Sequence, residues 1–153
     1  MSAVACLCAA AAYAAGSGAF RTGTDDKVAV PVTDRRTAGY CAALHALLPS
    51  RLNGLPRHDL KPRSDLVAGW GRPTVVLRCG VPRPAVDADP DTPAASVGGV
   101  TWSFEQDRDG GVRMTTTLRK AYVELYLPPE YAHDAGPLVD LAAPVRRSVP
   151  EGI

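Results

Sequence analysis

Three short runs near the middle of the chain decide the fold: Val100-Thr101-Trp102-Ser103-Phe104, Val112-Arg113-Met114-Thr115-Thr116-Thr117-Leu118 and Ala121-Tyr122-Val123-Glu124-Leu125-Tyr126-Leu127. Apolar and polar residues alternate along each with a period of two, the pattern of a strand with one face in a core and one in water. Val97-Gly98-Gly99-Val100 and Asp109-Gly110 supply tight turns between them, so the segment reads as an antiparallel meander. Its inner face should carry Val100, Trp102, Phe104, Val112, Met114, Val123, Leu125 and Leu127.

Working outward, Thr74-Val75-Val76-Leu77-Arg78-Cys79 is another strand, entered through Pro73 and left through Gly80, with Val75, Leu77 and Cys79 on one face. Upstream, Thr33 or Asp34 can cap a helix that runs to about Leu48, because Ala38, Cys41, Leu44 or His45, and Leu48 recur at helical spacing before Pro49. Val28, Val30 and Val32 predict a short edge strand around Pro31. Asn53-Gly54 is a turn, residues 55–61 suggest a short strand, and residues 65–70 suggest one helical turn. Residues 86–96 carry three Asp and two Pro without periodicity, which reads as a solvated loop. Gly136-Pro137 opens a last helix with Leu138, Leu141, Ala142, Val145 and Val149 on one stripe and Pro144 expected to kink it. The predicted class is α+β: a mainly antiparallel sheet of four to five strands, with an N-terminal and a C-terminal helix packed on one face.

Composition agrees and sets limits on function. The 153 residues, 46% hydrophobic and 22% charged, suit a single domain with a real core. Fourteen Gly and fourteen Pro argue against a helical bundle. Seventeen Lys plus Arg against sixteen Asp plus Glu leave a net charge of +1, too little to hold a nucleic-acid backbone, so no nucleic-acid partner is expected. No G-x-S-x-G elbow, S-x-x-K pair or phosphate-cradling glycine loop is present, and no cofactor is expected.

The N-terminus points outside the cytoplasm. Residues 2–20 hold no charge, and their Ala-rich apolar heart is shorter than a membrane span requires, so residues 1–20 read as a signal peptide or membrane anchor. Ala12-Tyr13-Ala14 offers a cleavage pattern before Ala15, and Ala3-Val4-Ala5-Cys6 is a degraded lipid-attachment pattern that makes Cys6 the candidate acylated residue. The first basic residue is Arg21, so the signal is atypical or the true start lies upstream of Met1. Residues 21–27 form a polar linker and residues 28–153 the domain. The expected location is extracytoplasmic, secreted or anchored at the cell envelope, with membrane association through the N-terminus.

Removal of the leader with Cys6 and Cys8 leaves Cys41 and Cys79, both on inward positions, and an oxidising compartment would join them. The competing reading is a zinc site from Cys41, His45, Cys79 and His58, or a thiol nucleophile paired with His45, His58 or His133, which would make the protein a small envelope enzyme. The spacing lacks any C-x-x-C or H-x-x-E-H, so the residues favour a disulfide, no metal site and a non-enzymatic role. The candidate binding face is the outward side of the sheet, with Arg78, Arg113, Thr115, Tyr122, Glu124 and Tyr126. Its plainer reading is a solvated surface in which Glu105 and Glu124 pair with Arg78 and Arg113 across strands.

Residues 70–84, WGRPTVVLRCGVPRP, resemble the signature of a family of small actinobacterial exported proteins, often lipoproteins, catalogued as domain of unknown function 3515. The similarity extends through Cys41, Gly98-Gly99-Val100-Thr101-Trp102, TTTLRKAYVELYLP at residues 115–128 and GPLVDLAAPVRR at residues 136–147. The resemblance implies an extracytoplasmic envelope domain without an assigned activity, whose partner would be an envelope protein or ligand.

Overall fold

Asp34 accepts hydrogen bonds from the backbone N–H of Arg36 and Thr37, at 2.8 and 3.0 Å, and so starts the first helix where the capping pattern places it. The computed structural model describes residues 26–152. The expected signal or anchor at residues 1–20, the candidate acylation at Cys6 and most of the expected linker at residues 21–27 lie outside the described residues. Helix α1 (Arg35–Leu47) is followed by β1 (Arg51–Leu52), β2 (Leu55–His58), β3 (Val67–Trp70) and β4 (Val75–Val81). Then come a 3-10 turn (Ala85–Ala88), β5 (Ala94–Val97), β6 (Val100–Gln106), β7 (Val112–Thr116), β8 (Tyr122–Leu127), a second 3-10 turn (Pro129–Tyr131) and α2 (Gly136–Ser148).

The strands form one antiparallel sheet in the order β1-β2-β3-β4-β8-β7-β6-β5. The α+β class and the flanking helices match expectation, whereas eight strands replace the predicted four to five. After β4 the chain travels to the far edge and returns as the meander β5 to β8, so β8 closes against β4. That register is Val76 opposite Tyr126, Leu77 opposite Leu125, Arg78 opposite Glu124 and Cys79 opposite Val123, with an irregularity between Cys79 and Val81. Gly80 sits in that irregularity at φ +87°, a conformation L side chains rarely adopt, and a Cβ there would lie 3.1 Å from Thr33 Cγ2.

Both helices cover the inward face. Helix α1 packs on α2 and β4, while α2 also meets β1, β5 and β6. Trp70, Trp102, Leu77, Leu125, Leu44 and Leu141 are among the side chains fully enclosed between these layers. Of the eight predicted inward residues, six are buried, while Phe104 and Val112 are partly buried and pack against the same core. The Trp70 indole donates to the Pro49 carbonyl at 3.0 Å, whereas the Trp102 indole N–H has no acceptor among the described residues. At the β5–β6 turn α2 comes so near that a Cβ on Gly98, which has φ +55°, would lie 2.6 Å from Ala142 Cβ. Pro137 stands in the first turn of α2 as expected, and Pro144 lies within the helix, where its missing N–H leaves the Asp140 carbonyl without its helical donor.

Four local expectations are corrected. Residues 28–32 form no strand: only Lys27 bridges Lys61, and Val32 is 98% exposed, because Pro31 removes a ladder donor. Residues 67–70 are strand β3 and not a helical turn, and all four are buried, so no alternation marks them. Residues 94–97 form the edge strand β5 and not loop, paired residue for residue with β6 despite their small, exposed side chains. Strand β7 ends at Thr116, and Leu118 turns out into solvent at φ +54°.

Cys41 and Cys79 are joined by a disulfide, both residues buried, with Cα atoms 5.5 Å apart. The bond ties the middle of α1 to β4 across 38 residues. Replacing both cysteines with alanine is expected to lower unfolding free energy by about 3 to 4 kcal/mol, the chain-entropy effect of a loop this size. Urea denaturation of the variant beside the oxidised parent measures the loss, and equal midpoints would refute it.

Candidate functional site

The outward face of the central strands is built as a charge network. Arg78 on β4 lies directly opposite Glu124 on β8, and its Nε and Nη2 donate to Glu124 Oε1 at 2.8 and 2.7 Å. Arg113 on β7 approaches the other oxygen, Oε2, at 3.5 Å and also pairs with Asp107. Glu124 is only 9% exposed at its side chain, so two guanidinium groups serve to hold one nearly buried carboxylate. Burial opposes the Arg113 charge, but Asp107 and Glu124 outweigh it and hold the guanidinium more firmly protonated.

Tyr126 extends the network, with its ring 5.8 Å from the Arg113 guanidinium carbon and its hydroxyl donating to Asp109. Burial and that hydrogen bond push the phenol up to about 12, while the same bond holds the Asp109 carboxyl below its usual range. Arg78, Arg113, Glu124 and Tyr126 are therefore brought together, but mainly to one another. Glu105 lies opposite Arg113 in register and remains exposed, with no ion pair to it among the described residues.

Thr115 and Ser103 on the same face are buried, so this part of the sheet is not the solvated surface that alternation predicts. The 3-10 turn at Ala85–Ala88 packs on β6, as the connection from β4 to β5 returns to the far edge. Where cover stops, Tyr122, Ser103, Thr117, Leu118 and Arg83 line a recess of about 280 Å³. The Tyr122 hydroxyl has no hydrogen-bond partner among the described residues. Asp87 also borders the recess with its side chain 5% exposed, its Oδ1 unpartnered and its Oδ2 3.9 Å from Arg83 Nε.

A second concavity, about 540 Å³, lies where the C-terminus of α1 meets β2 and β3. His45, Arg57, His58, Arg63 and Asp65 line it. Arg57 Nη2 stands 2.8 Å from His45 Nε2, and Asp65 lies 3.6 Å from His45 Nδ1. An arginine can only donate, so His45 Nε2 accepts and its ring proton sits on Nδ1, toward Asp65. Desolvation, then the Arg57 charge, lower the His45 pKa from its ordinary 6.5 against the opposing pull of Asp65.

The histidines are thus separated from the cysteines in role. With both sulfurs in the disulfide, neither Cys41 nor Cys79 offers a thiolate to zinc or to a substrate. His58 Nε2 is 3.0 Å from the Gly71 carbonyl, and His133 is exposed shortly before α2. No group of three or more His, Cys, Asp or Glu among the described residues could hold a metal ion. No helix among them is long and apolar enough to cross a membrane.

Sequence reasoning singled out His45 for its distance from Cys41 and missed its partner Arg57, which lies in a short strand without clear period. Arg119 was also missed: it is 5% exposed and donates to the Val149 carbonyl at 2.7 Å and the Gly99 carbonyl at 3.0 Å, tying the end of α2 to the β5–β6 turn. The one available signal was its place between two strands, where a basic residue would ordinarily face water.

Sheet, helices and disulfide define a stapled α+β domain with a buried ion-pair network on its outward face. The chain belongs to the family described as protein of unknown function (DUF3515), whose model matches residues 1–153. No curated protein and no solved structure matches it.

Two outcomes follow from this geometry. Glu124→Ala would leave Arg78 without its counter-ion and Arg113 with Asp107 alone, at an expected cost of about 2 to 3 kcal/mol in urea denaturation; an unchanged midpoint would show the network to be dispensable. His45 is held neutral by the fold, so its contribution is complete above pH 6.5 and is lost as pH falls through 6.5 toward its lower folded value. Denaturation midpoints at pH 7 and 5 should therefore converge partly in His45→Gln, which keeps an acceptor for Arg57 but does not titrate; the same pH dependence in both proteins would exclude this source.

Proposed function

We propose that this protein is an exported, non-enzymatic binding or accessory module of the cell envelope. The observation that carries the reading is the buried Cys41–Cys79 disulfide, because such a bond persists in oxidising compartments and is rare in reducing ones. The uncharged residues 2–20 supply the export signal or the anchor, with Cys6 as the point of acylation if a lipid is attached. Residues 21–27 tether the domain, and residues 28–153 act as one unit. The partner is an envelope protein or ligand.

Recognition takes place on the outward sheet face, at the end where Tyr122 and Thr117 stand beside Leu118. Leu118 supports this placement: it is 65% exposed and holds a left-handed backbone conformation that disfavours a leucine, a combination with no benefit to the core. Tyr122 adds an aromatic surface and an uncommitted hydroxyl. Arg78, Arg113, Thr115, Glu124 and Tyr126 form the adjoining floor, and their mutual bonds keep it rigid.

Intact mass of the protein recovered from its native host, before and after reduction and alkylation, tests the compartment. The expected result is a chain beginning near Ala15, or acylated at Cys6, with two alkylatable thiols revealed only by reductant. A full-length chain with free thiols at Cys41 and Cys79 would overturn the exported reading.

A further inference from the structure

The concavity beside the C-terminus of α1 contains a cation without a counter-ion. Half-buried Arg57 meets the neutral Nε2 of His45 at 2.8 Å, the Leu48 carbonyl at 3.4 Å and the Trp70 ring, its guanidinium carbon 5.9 Å from the ring centre. Among the described residues none of its partners is anionic. The two carboxylates lining the cleft are engaged elsewhere, Asp59 with Arg63 and Asp65 with His45 Nδ1. The weak bond to Leu48 lets Arg57 meet the partial negative charge at the end of α1, a role that uses one of five N–H donors. A second goes to His45, and Nε makes no bond among the described residues, so three donors remain for a ligand.

Charge and lining define that ligand. Arg57 and Arg63 balance Asp59 and Asp65, so the cleft carries no net field to hold a dianion, and those two carboxylates would repel one. With Arg63 paired to Asp59, a single negative charge placed on Arg57 would meet the one cation of the cleft that touches no carboxylate, on the side of His45 away from Asp65. Leu48, Leu60, Val67 and Ala68 form apolar wall, which suits a hydrocarbon body behind the charged end. The volume of about 540 Å³ is that of a small-molecule site.

We propose that this cleft is a binding site for a monocarboxylate with an apolar body, held by the Arg57 guanidinium against the Trp70 ring with His45 and Asp65 fixing the orientation of the fork. Planar carboxylates match arginine's parallel N–H groups, which a lysine cannot reproduce. The site lies apart from the outward-face recess, so it stands whether or not that face binds a partner.

The test is NMR observation of the histidine side chains in the full-length, oxidised chain during titration with sodium hexanoate, hexylamine and inorganic phosphate. Hexanoate should move the His45 resonances along a saturable curve with a midpoint in the millimolar range, while hexylamine and phosphate leave them unmoved at the same concentrations. Arg57→Lys should weaken hexanoate binding at least tenfold with its thermal midpoint retained. If that variant does not fold, the wild-type titrations decide alone. Absence of saturation, equal responses to the three probes, or undiminished binding by a folded Arg57→Lys would overturn the proposal.

Discussion

Strand β4 is constrained from three directions, and the rest of the molecule depends on it. It pairs with β3 on one side and β8 on the other, and its Cys79 is bonded to Cys41 on α1. Strands β1 to β3 lie at one flank and the meander β5 to β8 at the other, so β4 joins two halves that are each local in sequence. Hairpins form over short loops at small entropic cost, whereas closing β8 onto β4 requires the intervening chain to return on itself. The disulfide restricts the unfolded chain across the segment that contains β1 to β3 and so favours docking of α1 on the same strand.

The β4–β8 register also determines the outward chemistry. Placing Arg78 opposite Glu124 brings a carboxylate from β8 between arginines of β4 and β7, and these side chains shield it from much of the water that would otherwise screen the pair. A sheet face that alternation marks as wet thereby becomes a second, polar core. Its stability comes from mutual satisfaction: Ser103 donates to the Thr115 carbonyl, and the Glu124 carboxylate is held by both Arg78 and Arg113. What remains accessible is its margin at Tyr122 and Leu118, together with the cleft on the other side of the β4 flank, where Arg57 faces a neutral histidine.

Much of this fold was legible in the residues. Asp34 and Pro49 bracket α1, Gly98-Gly99 and Asp109-Gly110 mark the turns, and the parity of Trp102, Met114 and Leu125 selects the inward face, because each depends on neighbours in sequence. Strand β3 was missed since burial of four successive residues erases the period. Strand β5 was missed since Ala94 and Ala95 have little strand preference and are held by pairing with β6. Cys41 and Cys79 could be placed on facing surfaces from periodicity, while Arg57 with His45, and Asp87 beneath the outward recess, could not, their neighbours being set by strand order.

The sequence by itself determined the α+β class, the meander, the two amphipathic helices and the inward parity that lets two distant cysteines meet. These follow from steric and hydrophobic preferences that act over a few residues. Tertiary structure alone decided the eight-strand order, which arginines meet a carboxylate, and that Arg57 meets a neutral histidine in its place. Those outcomes depend on where the connection from β4 to β5 passes and on which side chains lose water together, and no local spacing encodes either.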